Sequence, residues 1–112
     1  MFGPCIQPPI IAHINRVRYE YHKTFVCPDK KLQTEAQRRA DYIMRTNDYS
    51  HEGFLNEFEG KDVRGENLAR VYGEGEVVEA WMNSPLHKGN LLDDWSEIAV
   101  ATSGVYTVLW VK

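Results

Sequence analysis

The chain has 112 residues, 43% of them apolar, 12% aromatic and 26% charged, which is the composition of a soluble globular domain. That length suits one domain burying roughly two-thirds of the surface its unfolded form exposes, and it excludes an eight-fold βα barrel, which takes ~200 residues or more. A net charge of -3 gives no global attraction to nucleic acid or to an anionic membrane surface, so neither is an expected partner.

No apolar run approaches the ~18 residues of a membrane-spanning helix, and the apolar stretch from Ile6 to Ile14 is interrupted by Pro8 and Pro9. Residues 1–8 form an N-terminal arm. Met1-Phe2-Gly3-Pro4-Cys5 has neither the basic start nor the unbroken apolar segment of a secretory signal, so export is absent or the signal has been removed.

Ile10, Ile14, Val17, Tyr21 and Phe25 recur at helical spacing after the Pro-Pro pair, which predicts a first helix from Ile10 to Phe25, about 24 Å long. A rod of that length between Cys5 and Cys27 keeps the two cysteines apart unless both flanking arms extend along it, so free thiols are expected. A second helix runs from near Asp29, its N-cap, to about Asn47, with Leu32, Ala36, Ala40, Ile43 and Met44 as its apolar stripe. Lys31, Arg38 and Arg45 recur every seven residues and share a solvated face of that helix.

From Tyr49 to Gly65 the periodicity vanishes, and residues 52–64 read as an acidic surface loop. The segment from Asn67 to Tyr72 is short and mixed, either a strand or an irregular crossing. Glu76 to Asn83 predicts a third helix, and Ser84-Pro85 supplies an N-cap and N1 proline for a short fourth helix ending at Leu92. Ile98 and Val100, then Tyr106, Val108 and Trp110 after Ser103-Gly104, alternate as two strands of an antiparallel hairpin. Trp81, Trp95, Trp110 and Tyr106 are expected to fill the core rather than line a groove.

The residues that point to chemistry are His51, where the second helix gives way to the acidic loop, Glu66 between Gly65 and Asn67, and His87 in the first turn of the fourth helix. The positive end of that helix disfavours imidazolium and leaves a ring nitrogen available as ligand or base. Two imidazoles and a carboxylate suit zinc with a water as fourth ligand, although spacings of fifteen and twenty-one residues match no compact ligand motif. Ser84 with His87 three residues on has the types of a nucleophile and base, but a serine before Pro85 is more simply a cap. His13 and His22 are read as surface residues.

Five ordered pieces then carry a resemblance. They are Asn15-x-x-Arg18; Asp29-x-x-Leu32-x-x-x-Ala36-x-x-x-Ala40-x-x-x-Met44 with Ser50-His51; Gly65-Glu66-Asn67-Leu68-Ala69; Ala80-Trp81-Met82-Asn83-Ser84-Pro85-Leu86-His87-Lys88-Gly89-Asn90-Leu91-Leu92; and Glu97-Ile98-Ala99-Val100-Ala101. Together they resemble the CAP superfamily of cysteine-rich secretory proteins, venom allergens and plant pathogenesis-related class 1 proteins.

The resemblance implies an α+β fold, an α-β-α sandwich with helices on both faces of a small antiparallel sheet. It also implies a central cleft of two histidines and two glutamates, of which His51, Glu66 and His87 match three. Ser84 stands where eukaryotic members carry the second glutamate, and its Asn-Ser-Pro setting resembles the prokaryotic branch. A missing carboxylate weakens both metal binding and hydrolysis. The implied function is a monomeric, secreted or extracellular binding module whose cleft holds zinc or another divalent cation weakly, or a peptide, lipid-like or other small-molecule ligand. A metal-dependent hydrolase using Glu66 as base is the alternative. With no export signal in the chain, a cytoplasmic or viral setting stays open.

Overall fold

The computed structural model describes residues 5–51, 63–70 and 73–112, so most of the acidic loop lies outside the described residues. In chain order these form α1 (Pro9–Glu20), β1 (Cys27–Pro28), α2 (Lys30–Thr46), β2 (Gly65–Arg70), α3 (Glu74–Met82), α4 (Pro85–Leu92), β3 (Glu97–Ser103) and β4 (Tyr106–Val111). The strands form one sheet in the order β1-β3-β4-β2. β4 pairs antiparallel with both neighbours, and β1 adds a two-residue parallel pairing to β3, so the sheet is mixed rather than wholly antiparallel.

The period of two along β4 divides the core. Tyr106, Val108 and Trp110 point towards α2 and pack with Leu32, Ala36, Ala40, Ile43, Leu68, Ala99 and Ala101. Leu109 and Val111 point the other way, into a second core built from α1, α3 and α4 through Ile11, Ile14, Val77, Val78, Trp81 and Leu91. All six residues of β4 are buried, as a central strand covered on both faces requires. These two cores make the α-β-α sandwich. Ala36, Ala40 and Ala99 are fully buried and Ala101 nearly so, and side chains this small let α2 lie close on the sheet.

α2 begins where Asp29 accepts the backbone N–H of Leu32 at 2.8 Å and ends at Asn47, whose φ of 57° turns the chain out of the helix. Asp29→Ala is expected to cost about 1 kcal/mol, a fall in Tm of about 4 °C for a domain of this size. An unchanged thermal melt would remove the cap from the account.

α1 is shorter than its apolar spacing predicts. It stops at Glu20 because His22 takes the left-handed conformation, φ 61°. The His22 N–H then donates to the Tyr19 carbonyl at 3.0 Å and the Lys23 N–H to the Arg18 carbonyl at 2.8 Å, the paired closure of a Schellman motif. A surface histidine thus does work usually given to glycine. The chain reverses and runs back along the helix, where Asn15 receives the Val26 N–H on Oδ1 and donates to the Val26 carbonyl, both at 2.9 Å. Asn15 also donates to Gln7 Oε1 at 3.0 Å, which ties down the N-terminal arm on the same side.

Both arms therefore extend along a twelve-residue helix, and Cys5 and Cys27 meet in a disulfide with Cα atoms 5.9 Å apart. The free-thiol expectation is corrected by that geometry. α1 is about 18 Å long rather than about 24 Å, and it ends five residues earlier than the stripe implied.

Arg18, 1% exposed, joins three elements: Nε donates to the Thr24 carbonyl at 2.8 Å, and Nη1 to the Leu91 and Asp93 carbonyls at 2.7 and 2.9 Å. It thereby closes the C-terminal end of α4, where a cation is favoured. Burial holds its pKa below the usual guanidinium value, opposed by the carboxylates of Asp94 and Asp93. Trp81 and Trp110 are buried core residues, whereas half-buried Trp95 packs on the core and also lines a groove.

Candidate functional site

The site grows from the start of β2. Gly65 has no room for a side chain, since a Cβ there would lie 2.5 Å from Asn90 Oδ1, so α4 can press against the strand. Glu66 follows on the α2 side of the sheet, opposite Trp110 in the register. Its side chain is 3% exposed, and a charge so placed needs partners.

Partners fill it. Oε1 accepts from Arg39 Nη2 at 3.0 Å and from His51 Nδ1 at 2.8 Å, while Oε2 accepts from Arg39 Nε at 2.9 Å and Trp110 Nε1 at 2.6 Å. The Arg39 contact is a two-pronged guanidinium–carboxylate grip with the arginine wholly buried. Four acceptor positions of the carboxylate are thus occupied. Both oxygens of Glu66 are engaged in holding Arg39, His51 and Trp110.

This sets the state of His51. An ionised carboxylate only accepts, so Nδ1 of the neutral ring carries the proton and Nε2 keeps its lone pair. The side chain is 56% exposed, so that nitrogen belongs to an accessible imidazole.

His87 is held differently. Ser84 occupies the N-cap position of α4, as expected, but its side chain caps no backbone N–H. Ser84 Oγ lies 2.8 Å from His87 Nδ1 instead. Ser84 therefore orients His87, a role between the simple cap and the nucleophile read from the sequence. A hydroxyl can donate or accept, so it serves either tautomer of the ring.

α4 is fastened to β2 beside these groups. Asn67 Nδ2 donates to the His87 carbonyl at 2.9 Å, and Asn90 Nδ2 lies 2.9 Å from Asn67 Oδ1 and 3.1 Å from the Glu66 carbonyl. Trp81 Nε1 donates to the Leu68 carbonyl at 3.1 Å. These bonds cover the outward carbonyls of an edge strand and carry the segment bearing Ser84 and His87 to the strand bearing Glu66.

The structure thus joins His51 directly to Glu66, and joins His87 to Ser84 and, through its carbonyl, to Asn67. Glu66 supports His51 rather than standing beside it as a ligand. Among the described residues no group of three or more His, Cys, Asp or Glu side chains is arranged to hold a metal ion. Two grooves elsewhere, of about 580 Å³ along α1 and about 630 Å³ near Trp95 and Lys112, are lined by none of His51, Glu66, Ser84 or His87.

Arg39, Trp110, Asn67 and Asn90 are the participants that the sequence reading missed. A signal existed for Arg39, which falls three residues after Ala36 and four before Ile43, a charge on the apolar stripe of α2.

No family model matches the sequence, and neither does any curated protein. Solved structures do match. A Bacillus anthracis extracellular protein containing an SCP domain superposes with a TM-score of 0.79 at 19% identity, over 91% of this chain and 38% of its own. An outer surface protein from Borrelia burgdorferi gives 0.75 at 22%, over 92% of this chain and 89% of its own. A cysteine-rich secretory protein from Staphylococcus aureus gives 0.73 at 15%, over 91% and 36%. The chain spans little more than a third of two of these proteins and most of the third. The likeness shows the fold, that of the SCP or CAP domain.

Proposed function

We propose that this chain, having the CAP-domain fold, is an extracellular-type binding module that takes a divalent cation, zinc in particular, at the imidazoles of His51 and His87. The observation that carries this reading is the 2.8 Å bond from His51 Nδ1 to a saturated Glu66 carboxylate. A carboxylate behind one ring nitrogen is the usual support of a metal-binding histidine, because it fixes the tautomer that leaves the other nitrogen bare. With His87 Nδ1 protonated and donating to Ser84 Oγ, the second imidazole offers Nε2 in the same way.

Neither support brings a carboxylate into the ligand set, so few protein ligands and little negative charge face the cation, and binding is weak. Acidification weakens it further, since protonated imidazole does not coordinate. Leu86, 87% exposed between Ser84 and His87, supports an apolar contact for a peptide or lipid-like ligand at the same place. The Cys5–Cys27 disulfide suits an oxidising compartment, in keeping with structural neighbours described as extracellular, outer-surface and secretory. No helix among the described residues is long and apolar enough to cross a membrane.

The hydrolase alternative needs Glu66 as a base, and the grip of Arg39 and Trp110 disfavours that role. Calorimetric titration with zinc separates the readings. Wild type is expected to bind weakly, and His51→Ala with His87→Ala to bind none while keeping its thermal stability largely intact. A double variant that binds as wild type does would refute the site. Zinc-dependent peptide turnover that disappears in Glu66→Gln would put the enzyme in its place.

A further inference from the structure

We infer that Arg39 is the positioning residue of the histidine site, acting on His51 twice over. Its guanidinium grips both oxygens of Glu66, the carboxylate that receives His51 Nδ1. The same Nη2 that binds Glu66 Oε1 also donates at 2.7 Å to the carbonyl of Ser50, the residue that carries His51 on the main chain. One buried cation therefore sets both the anchor of the ring and the backbone from which the ring projects. Trp110 Nε1, at 2.6 Å from Oε2, opposes rotation of the carboxylate about its own axis.

The geometry explains why a charged residue sits on the apolar stripe of α2. A buried ion pair stabilises little by itself, because desolvation of both groups offsets their attraction, whereas a rigid planar fork confers direction. Lysine at this position keeps the charge and loses the fork: a single ammonium centre does not reproduce the bidentate grip on Glu66 together with the bond to Ser50. The orientation of His51 should then relax although the charge balance is retained.

The functional meaning of this inference rests on the proposed cation site, but its test needs no metal. Long-range proton–nitrogen NMR spectra of the metal-free wild type at alkaline pH are expected to show His51 as a single tautomer, protonated on Nδ1. In Arg39→Lys the ring is expected to populate both tautomers, and zinc affinity to fall about tenfold or more. Arg39→Gln leaves the Glu66 carboxylate in place as the acceptor of His51 and gives the same tautomer readout if the lysine variant fails to fold. Mixed tautomers in wild type, or a single Nδ1-protonated His51 in either folded variant, would overturn the inference. A wild type with ordered tautomer and no zinc binding would leave Arg39 in its role and refute only the cation site.

Discussion

Arg39→Met is expected to lower the unfolding free energy by about 3–5 kcal/mol, the largest effect of any single substitution considered. Arg39 is wholly buried and the Glu66 side chain is 3% exposed, so removing the cation leaves a carboxylate among Trp110, Leu68 and the alanines of α2. Water cannot take the place of the guanidinium without opening that core, and the methionine fills volume without supplying donors. His51 and Trp110 still bond the carboxylate, which keeps the loss finite. Adding Glu66→Gln removes the stranded charge and should recover part of the loss. Denaturant unfolding of the single and double variants measures both quantities, and a single variant within about 1 kcal/mol of wild type would show that the ion pair is not buried as described.

Loss of the disulfide is expected to cost about 3 kcal/mol, the chain-entropy value for a loop closed across a separation of 22 residues. The loop consists of α1 and its return segment, already joined by Asn15 to Val26, Asn15 to Gln7 and Arg18 to Thr24. Those bonds survive reduction, so the double change Cys5→Ser with Cys27→Ser should lower the melting temperature without dissolving the fold. The effect should centre on residues 5–8 and β1, which the disulfide pins to each other at the edge of the sheet. Thermal melts of the oxidised and reduced wild type provide the check. Equal melting temperatures would mean that the hydrogen bonds alone hold the arm.

What was legible in the sequence follows the range of the interactions that decide it. α2, α4 and the β3–β4 hairpin are set by local rules: Asp29 as a cap, Pro85 at N1, Gly104 at φ 58° in the turn, and regular apolar spacing. The end of α1 was not legible because it depends on His22 adopting a conformation that sequence rules assign first to glycine. The disulfide was hidden by the same error, since an overlong helix places Cys27 at the wrong end.

At the site, His51, Glu66, Ser84 and His87 were picked out by residue type and resemblance, but their division of labour was not. Glu66 looks like a ligand until Arg39, 27 residues earlier, and Trp110, 44 residues later, are seen to occupy its oxygens. Ser84 looks like a cap until its hydroxyl is seen on the His87 ring rather than on a backbone N–H. Pairings of that separation arise from sheet register and helix packing, which periodicity does not encode.

Zinc-soaked crystals measured at the zinc absorption edge are expected to show one anomalous peak bonded to Nε2 of His51 and Nε2 of His87, with Glu66 remaining on Arg39 and Trp110. The peak should be absent from the His51→Ala, His87→Ala double variant. A zinc ion held by the Glu66 carboxylate, or by neither histidine at saturating zinc, would contradict the two-histidine site.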